Sequence, residues 1–168
     1  MSDRAEMVVF WIFSVPLLAT SAGVVVARNP VNAAISLVAA FFFLAGIYIL
    51  LTAHLLAFLQ VLVYAGAIMV LFLFVIMLLT TGDDDFTRGR VKIMQLAGVA
   101  GAVGVLAVIV RAVSDLGALP MRIVPPEFGT VKAVGRLLYT QYLLPFEVTS
   151  LLLLVAIVGA VVVAKQRI

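Results

Sequence analysis

HLLAFLQVLVYAGAIMVLFLFVIMLL, residues 54–79, is the stretch that decides the fold, because it contains no Asp, Glu, Lys or Arg. About 20 consecutive apolar residues cross the hydrocarbon core of a bilayer as an α-helix. A strand of a membrane barrel would instead alternate apolar and polar side chains, which this run does not do. The run Leu55–Leu79 therefore predicts a membrane-spanning helix that is longer than one crossing requires.

Four more apolar runs lie along the chain, and they are Met7–Ala27, Val31–Leu51, Ile93–Val113 and Leu143–Ala164. The links before the second and third spans are so short that the first three spans must be antiparallel neighbours. We therefore predict an all-α, polytopic membrane protein with five transmembrane helices in a single membrane domain, residues 1–168. The long connection 114–142 is predicted to be a surface loop, because it contains Pro120, Pro125 and Pro126.

The amino-acid composition excludes several classes of protein. Of the 168 residues, 65% are hydrophobic and only 11% are charged, whereas soluble domains carry about 25% charged residues. The absence of cysteine excludes disulfides and iron–sulfur ligation, and a single histidine excludes a zinc site built from several histidines. The isoelectric point near 9.6 does not indicate nucleic-acid binding, because the basic residues form no cluster and fit the role of helix-end anchors.

The positions of lysine and arginine predict the orientation in the membrane, since cytoplasmic loops carry an excess of them. Six basic residues lie on one predicted side: Arg28, Arg88, Arg90, Lys92, Lys165 and Arg167. Five lie on the other side, three of them inside the long connection: Arg4, Arg111, Arg122, Lys132 and Arg136. We therefore expect the N-terminus outside and the C-terminus in the cytoplasm.

Ionisable side chains inside a membrane helix are costly, so each one is a functional candidate. The first three predicted spans contain none, and the chain therefore carries no row of proton-binding or ion-binding groups across the membrane. Glu147, near the start of the last span, is the exception. It is either a carboxylate beside a water path or beside a partner's basic residue, or a first-turn acid that favours the positive end of the helix. The first-turn interpretation, which the neighbouring Pro145 favours, predicts that Glu147→Gln is mild.

The third span contains the most unusual combination of side chains. Gln60 and Tyr64 are four residues apart, so on a helix they share a face. The small residues Ala65, Gly66 and Ala67 follow directly. One interpretation is a patch for close helix packing with hydrogen bonds between helices. The other is a hinge or π-bulge, a distortion that is frequent at functional sites.

Three stretches of the chain are similar to one known family, and they are Arg28–Ala34 (RNPVNAA), Gln60–Phe72 (QVLVYAGAIMVLF) and Leu137–Leu154 (LLYTQYLLPFEVTSLLLL). Together with the five spans, the long fourth connection and the length, they make the chain resemble the subunit J family of bacterial proton-translocating NADH–quinone oxidoreductase, respiratory complex I. The mitochondrial counterpart is NADH dehydrogenase subunit 6. The stretch beginning at Tyr64 is the most specific part of the resemblance.

The resemblance implies a subunit of an enzyme that passes electrons from NADH to a membrane quinone and drives protons outward. It implies no catalytic residue, redox centre, cofactor or metal in this chain, because NADH, FMN, iron–sulfur clusters and quinone are bound by partner subunits. The expected neighbours in the bacterial plasma membrane are the quinone-chamber subunit, the three-helix subunit K and the antiporter-like subunits.

The resemblance also implies that the third helix carries a π-bulge, whose conversion to regular α-helix gates a water path from the quinone region. On this chain the switch corresponds to Gln60, Tyr64, Ala65, Gly66, Ala67 and Met69, and Glu147 is a further polar contact. Some family members have a glutamate where Gln60 stands. Because an amide cannot titrate, protons on this face would be carried by water or by carboxylates of neighbouring subunits.

Other functions stay open at this point. The chain could be a membrane subunit of a related cation/proton antiporter or of a membrane-bound hydrogenase, and flavin and iron–sulfur partners in the purified complex would argue for the quinone oxidoreductase. An independent transporter would need midplane ionisable residues or paired broken helices, which the sequence does not show. A purely architectural role predicts that Tyr64→Phe and Gly66→Leu leave proton pumping unchanged.

Overall fold

The computed structural model describes residues 3–79, 91–115, 125 and 127–165, and this part of the chain is helical without strands. The helices are α1 (Asp3–Val26), α2 (Pro30–Leu50), α3 (His54–Leu79), α4 (Val91–Asp115), α5 (Val131–Thr140) and α6 (Leu143–Ala164). Within α3, the segment Gln60–Ile68 is a π-helix. The all-α prediction is therefore confirmed for the described residues.

Four of the helices are long and apolar enough to cross a membrane, and they are α1 from Arg4 onward, α2, α3 and α6. Helix α4, which belongs to a separate compact unit, is one continuous helix of 25 residues, and its stretch Gly98–Ser114 is apolar but shorter than a full crossing. The count of five spans stays a prediction. Residues 80–90, which include most of the polar connection after the third span, lie outside the described part of the chain.

Helices α1 and α2 form an antiparallel hairpin. The side chain of Asn29 caps α2 by accepting a hydrogen bond from the Val31 amide at 2.8 Å, and Pro30 occupies the first turn, where proline needs no donor. In the middle of the pair, a Cβ atom at Gly46 would overlap the ring of Phe13. The two helices therefore approach each other at a position where only glycine fits.

The turn between α2 and α3 is a Schellman motif. The amide of Ala53 donates to the Tyr48 carbonyl at 2.9 Å, and the amide of Thr52 donates to the Ile49 carbonyl at 3.0 Å. This motif requires a left-handed residue, and Thr52 adopts φ +58°. Glycine is the usual residue here, because a left-handed conformation costs an ordinary side chain about 1–2 kcal/mol. The turn therefore stores strain at Thr52.

Replacing the strained residue is expected to stabilise the protein. Thr52→Gly removes the left-handed penalty but adds backbone freedom to the unfolded chain, so the net gain is about 1 kcal/mol or less. The measurement is the temperature at which the detergent-solubilised protein unfolds. Thr52→Ala is the control, because alanine keeps the Cβ atom and should give no comparable gain. An equal rise for both variants would contradict the strain at this position.

The predicted surface loop 114–142 differs from the structure, because part of it is helix α5. The Thr130 side chain caps this helix by accepting from the Ala133 amide at 3.3 Å. Lys132 and Arg136 lie four residues apart on its polar face. Ten residues are too short for a span, so a search for membrane-length runs passes over this amphipathic helix. Residues 116–124 and 126 lie outside the described part of the chain.

Helix α6 makes contact with α5 and with no other helix of its own compact unit, as far as the structure describes it. Each of its side chains is exposed on this chain. An apolar helix that its own compact unit leaves so exposed is covered by lipid or by other membrane proteins.

Candidate functional site

The site is the π-helical segment Gln60–Ile68 in the middle of α3. At its end, the amide of Met69 donates to the carbonyl of Tyr64, five residues earlier, where an α-helix would use the fourth. Helical structure continues on both sides of the segment, from His54 to Leu79. The sequence left a packing patch and a π-bulge as alternatives, and the structure shows π geometry in this segment.

Gly66 lies close to the main chain of its own helix. Gly66 is exposed, and the atom nearest to a Cβ placed there is the Val61 carbonyl oxygen, at 3.2 Å. No other helix of the described chain approaches this Cβ position within 4 Å. A side chain at Gly66 would therefore press on the carbonyl five residues earlier in the same helix. The glycine permits the wide turn to close.

The π segment brings two residues that lie far apart along α3, Gln60 and Met69, to the same side of the helix, the side that faces α2. Gln60 is 7% exposed and Met69 is 4% exposed, so both side chains are buried. These residues are nine positions apart, which at about 3.6 residues per turn is two and a half turns, so a regular α-helix would point them to opposite sides. Because its turns are wider, the π segment brings both to the buried side, and a return to α geometry would move one of them away.

The structure brings Gln60 and Tyr64 towards the same neighbour but gives them different environments. The ring of Tyr64 contacts that of Phe41 on α2 edge-on, with centroids 5.8 Å apart, and yet Tyr64 stays 49% exposed. Gln60 is the one buried polar residue in the described part of the chain. No buried side-chain nitrogen or oxygen in the described part of the chain lacks a hydrogen-bond partner, so the Gln60 amide is not an unsatisfied group. An amide carries both donors and an acceptor, so this side chain can also bind water if a space opens beside it.

An apolar groove adjoins the site and was not predicted. It lies between α2 and the first part of α3, has a volume of about 300 Å³ and is lined by Ala45, Ile49, His54, Ala57, Phe58 and Val61. His54 is the only lining residue with an ionisable side chain. No polar pattern in the sequence marks this groove, because its walls come from two helices whose facing sides only the fold reveals. His54 lines this groove and lies outside the π segment, which begins at Gln60.

Glu147 lies outside the π site, and the first-turn interpretation of this residue is wrong. Helix α6 begins at Leu143 after the N-cap Tyr142, and its first turn contains no acidic residue. Proline at position 145 is in the first turn, as predicted, but Glu147 follows in the second. The field of a helix end falls off within one turn, so this carboxylate does not cap α6. Its role in a water path or in pairing with a partner stays a prediction.

Glu147→Gln is still expected to be mild, for a different reason. The side chain is exposed on this chain. Four residues of helix rise only about 6 Å, which keeps the carboxylate close to the membrane surface and to water. For the complex that the sequence resemblance implies, we expect turnover of the assembled enzyme to stay within about twofold of wild type. Loss of turnover in a fully assembled variant would instead place Glu147 on a proton path, and Glu147→Asp is the charge-preserving control.

Comparison with known proteins identifies relatives over nearly the whole chain. The family model described as NADH-ubiquinone/plastoquinone oxidoreductase chain 6 matches residues 20–163. The chain is 34% identical to the NADH-quinone oxidoreductase subunit J of Rhodobacter capsulatus, covering 94% of this chain and 81% of that protein. It is 34% identical to subunit 6 of the NAD(P)H-quinone oxidoreductase of the Paulinella chromatophora chromatophore, covering 98% and 80%. For the chloroplastic subunit 6 of Nephroselmis olivacea the identity is 43%, covering 86% and 84%.

Proposed function

Because the chain belongs to the NADH-ubiquinone/plastoquinone oxidoreductase chain 6 family, we propose that it couples quinone reduction to proton translocation as a membrane-arm subunit of such a complex. In this proposal the π segment Gln60–Ile68 is a two-state element that opens and closes a water path. The partner subunits hold the NADH, the flavin, the iron–sulfur clusters and the quinone. The chain itself contributes the gate.

The observation that carries the proposal is the burial of both Gln60 and Met69. A π-helix that converts to α-helix must change the direction of the side chains on one side of the segment relative to those on the other. If Gln60 keeps its place against α2, Met69 leaves it. The space that Met69 vacates lies next to a polar amide, and such a space can admit water. A small rearrangement of hydrogen bonds thus alters the access of water within the membrane.

The proposed path needs proton carriers outside this chain. Between Met7 and Leu79 the acidic and basic residues are only Arg28, in the link between α1 and α2, and His54, the first residue of α3. Gln60 can orient a water molecule through its amide but cannot release a proton. The gate therefore controls water that connects ionisable groups of neighbouring subunits, which we take to be the quinone-chamber subunit and subunit K.

The direct test is the structure of the intact complex, trapped with oxidised quinone and again during NADH-driven turnover. We expect the Met69 amide to bond the Tyr64 carbonyl in one state and the Ala65 carbonyl, four residues earlier, in the other. The Met69 side chain should leave α2 in the second state. A segment that stays π-helical in every state of a pumping complex would refute the gate.

A subunit of a related antiporter or membrane-bound hydrogenase is the alternative function. The relatives are quinone oxidoreductase subunits in each case, which favours the first proposal. Purification from the native membrane separates the two, because only the quinone oxidoreductase carries both NADH-oxidising activity and quinone-reducing activity.

A further inference from the structure

The first turn of α3 receives its cap from a distant segment of the chain. The first four amides of a helix have no partner within the helix, and side chains commonly supply one. The N-cap residue, Ala53, offers no side-chain hydrogen bond. Instead the Leu55 amide donates to the carbonyl of Gly129, at 2.9 Å. The start of α3 is thus tied to the residues that precede α5.

The contact at Gly129 excludes any other residue. Gly129 has φ +70°, and a Cβ atom added there would overlap the Thr52 carbonyl oxygen and lie 2.9 Å from the Ala53 Cα atom. Glycine alone satisfies both the conformation and the spacing. The strained Thr52 belongs to the same contact, with φ +58°. Two left-handed residues in direct contact indicate a geometry that the surrounding structure enforces.

Apolar side chains continue from this contact to α5 and α6. A cavity of about 230 Å³ between the α2–α3 turn and α5 has apolar walls, which are formed by Ala53, Leu55, Leu56, Phe128, Gly129, Ala133, Val134 and Leu137. The Tyr142 amide donates to the Leu137 carbonyl at 3.1 Å, and the rings of Tyr139 and Phe146 lie 5.1 Å apart. The start of α3 is therefore connected through α5 to the membrane span α6.

We propose that the main chain of Gly129 holds the first turn of α3 in place, and we call this contact the clamp. When the π segment rearranges, the clamped first turn stays where it is, and the other part of the helix, Met69–Leu79, rotates. One end of a helix must turn relative to the other when a π segment becomes α-helical. The end at His54 is held by a directional hydrogen bond and a close main-chain contact. Met69, on the other side of the segment, is buried by apolar contact, which has no preferred direction. The direction of rotation rests on the proposed gate, whereas the clamp does not.

Amide hydrogen exchange of the intact complex tests the clamp in the wild type and in one variant. The Leu55 amide should exchange about tenfold more slowly than an unpaired first-turn amide. Gly129→Ala should remove this protection. Gly135→Ala is the matched control, because a Cβ atom there meets nothing within 4 Å and the residue lies on α5. An unprotected Leu55 amide in the wild type, or unchanged protection in an assembled Gly129→Ala complex, would overturn the clamp.

The direction of rotation is tested by comparing resting and turnover structures after superposition on α2. We expect Ala57 to stay in place and Met69 to turn away in the wild type, whereas in assembled Gly129→Ala the first turn of α3 should move as well. Rotation of His54–Leu59 with a broken Gly129 contact in the wild type would overturn the proposed direction. A segment that never changes would refute the gate and with it the direction, while hydrogen exchange would still decide the clamp.

Discussion

Gly66→Leu is expected to lower quinone-coupled proton pumping about tenfold or more, while the amount of assembled complex falls less than twofold. The Val61 carbonyl lies 3.2 Å from a Cβ at this position, so a larger side chain is overpacked in the π geometry. Overpacking costs about 1–3 kcal/mol, and each 1.4 kcal/mol shifts an equilibrium tenfold. The variant should hold α3 in its α-helical form. The measurement is proton uptake and NADH oxidation in vesicles that contain the complex.

The control for this substitution is Gly159→Leu. Gly159 is also a glycine inside a membrane span, and a Cβ there meets no atom within 4 Å. The same increase in volume should therefore leave pumping close to that of wild type. Gly66→Ala should already give a large part of the effect, because alanine carries the same Cβ atom 3.2 Å from the Val61 carbonyl. Assembled Gly66→Leu complex that pumps at the normal rate and normal proton-to-electron ratio would exclude the π segment as a gate.

Gly46→Leu is expected to remove most of the chain from the membrane by preventing α1 from packing on α2. The first side-chain atom at this position would overlap the ring of Phe13. In a close-packed helix pair such an overlap forces the two helices apart, at a cost of at least about 1–3 kcal/mol. We expect the quantity of the chain, measured by immunoblot of purified membranes, to fall about fivefold or more.

A second substitution tests the geometry of this contact. Phe13→Ala removes the ring that the leucine would displace, so the double variant should recover a large part of the lost protein. Phe13→Ala alone leaves a gap and should lower the quantity moderately. If the double variant is as depleted as the sum of the single losses predicts, the two residues do not meet across the α1–α2 interface.

Local rules account for what the sequence predicted correctly. Long runs without charged residues predict membrane helices, because each polar group in the hydrocarbon core carries a large cost. The run that became α3 extends from His54 to Leu79 in the structure, close to its predicted limits. Pro30 marked the first turn of α2, since a helix tolerates proline best in its first turn, where no amide donor is needed. The third span, which the sequence marked as unusual, contains the π segment, and a glycine between two alanines lowers the cost of such a local distortion.

Two features of the second half of the chain were not predicted correctly. Glu147 falls in the second turn of α6, because that helix begins only at Leu143, after the turn that follows α5. Helix α5 was passed over, since its ten residues are too short for a membrane span, although its Thr130 cap and its amphipathic pattern are local.

The sequence by itself determined that this chain is a helical membrane protein and where most of its helices run, because these properties follow from the solubility of neighbouring residues. Only the tertiary structure decided which side of α3 is buried. The π segment turns both Gln60 and Met69 towards α2. It also decided that the carbonyl of Gly129 caps α3, since a hydrogen bond between distant segments forms only where the fold brings donor and acceptor together.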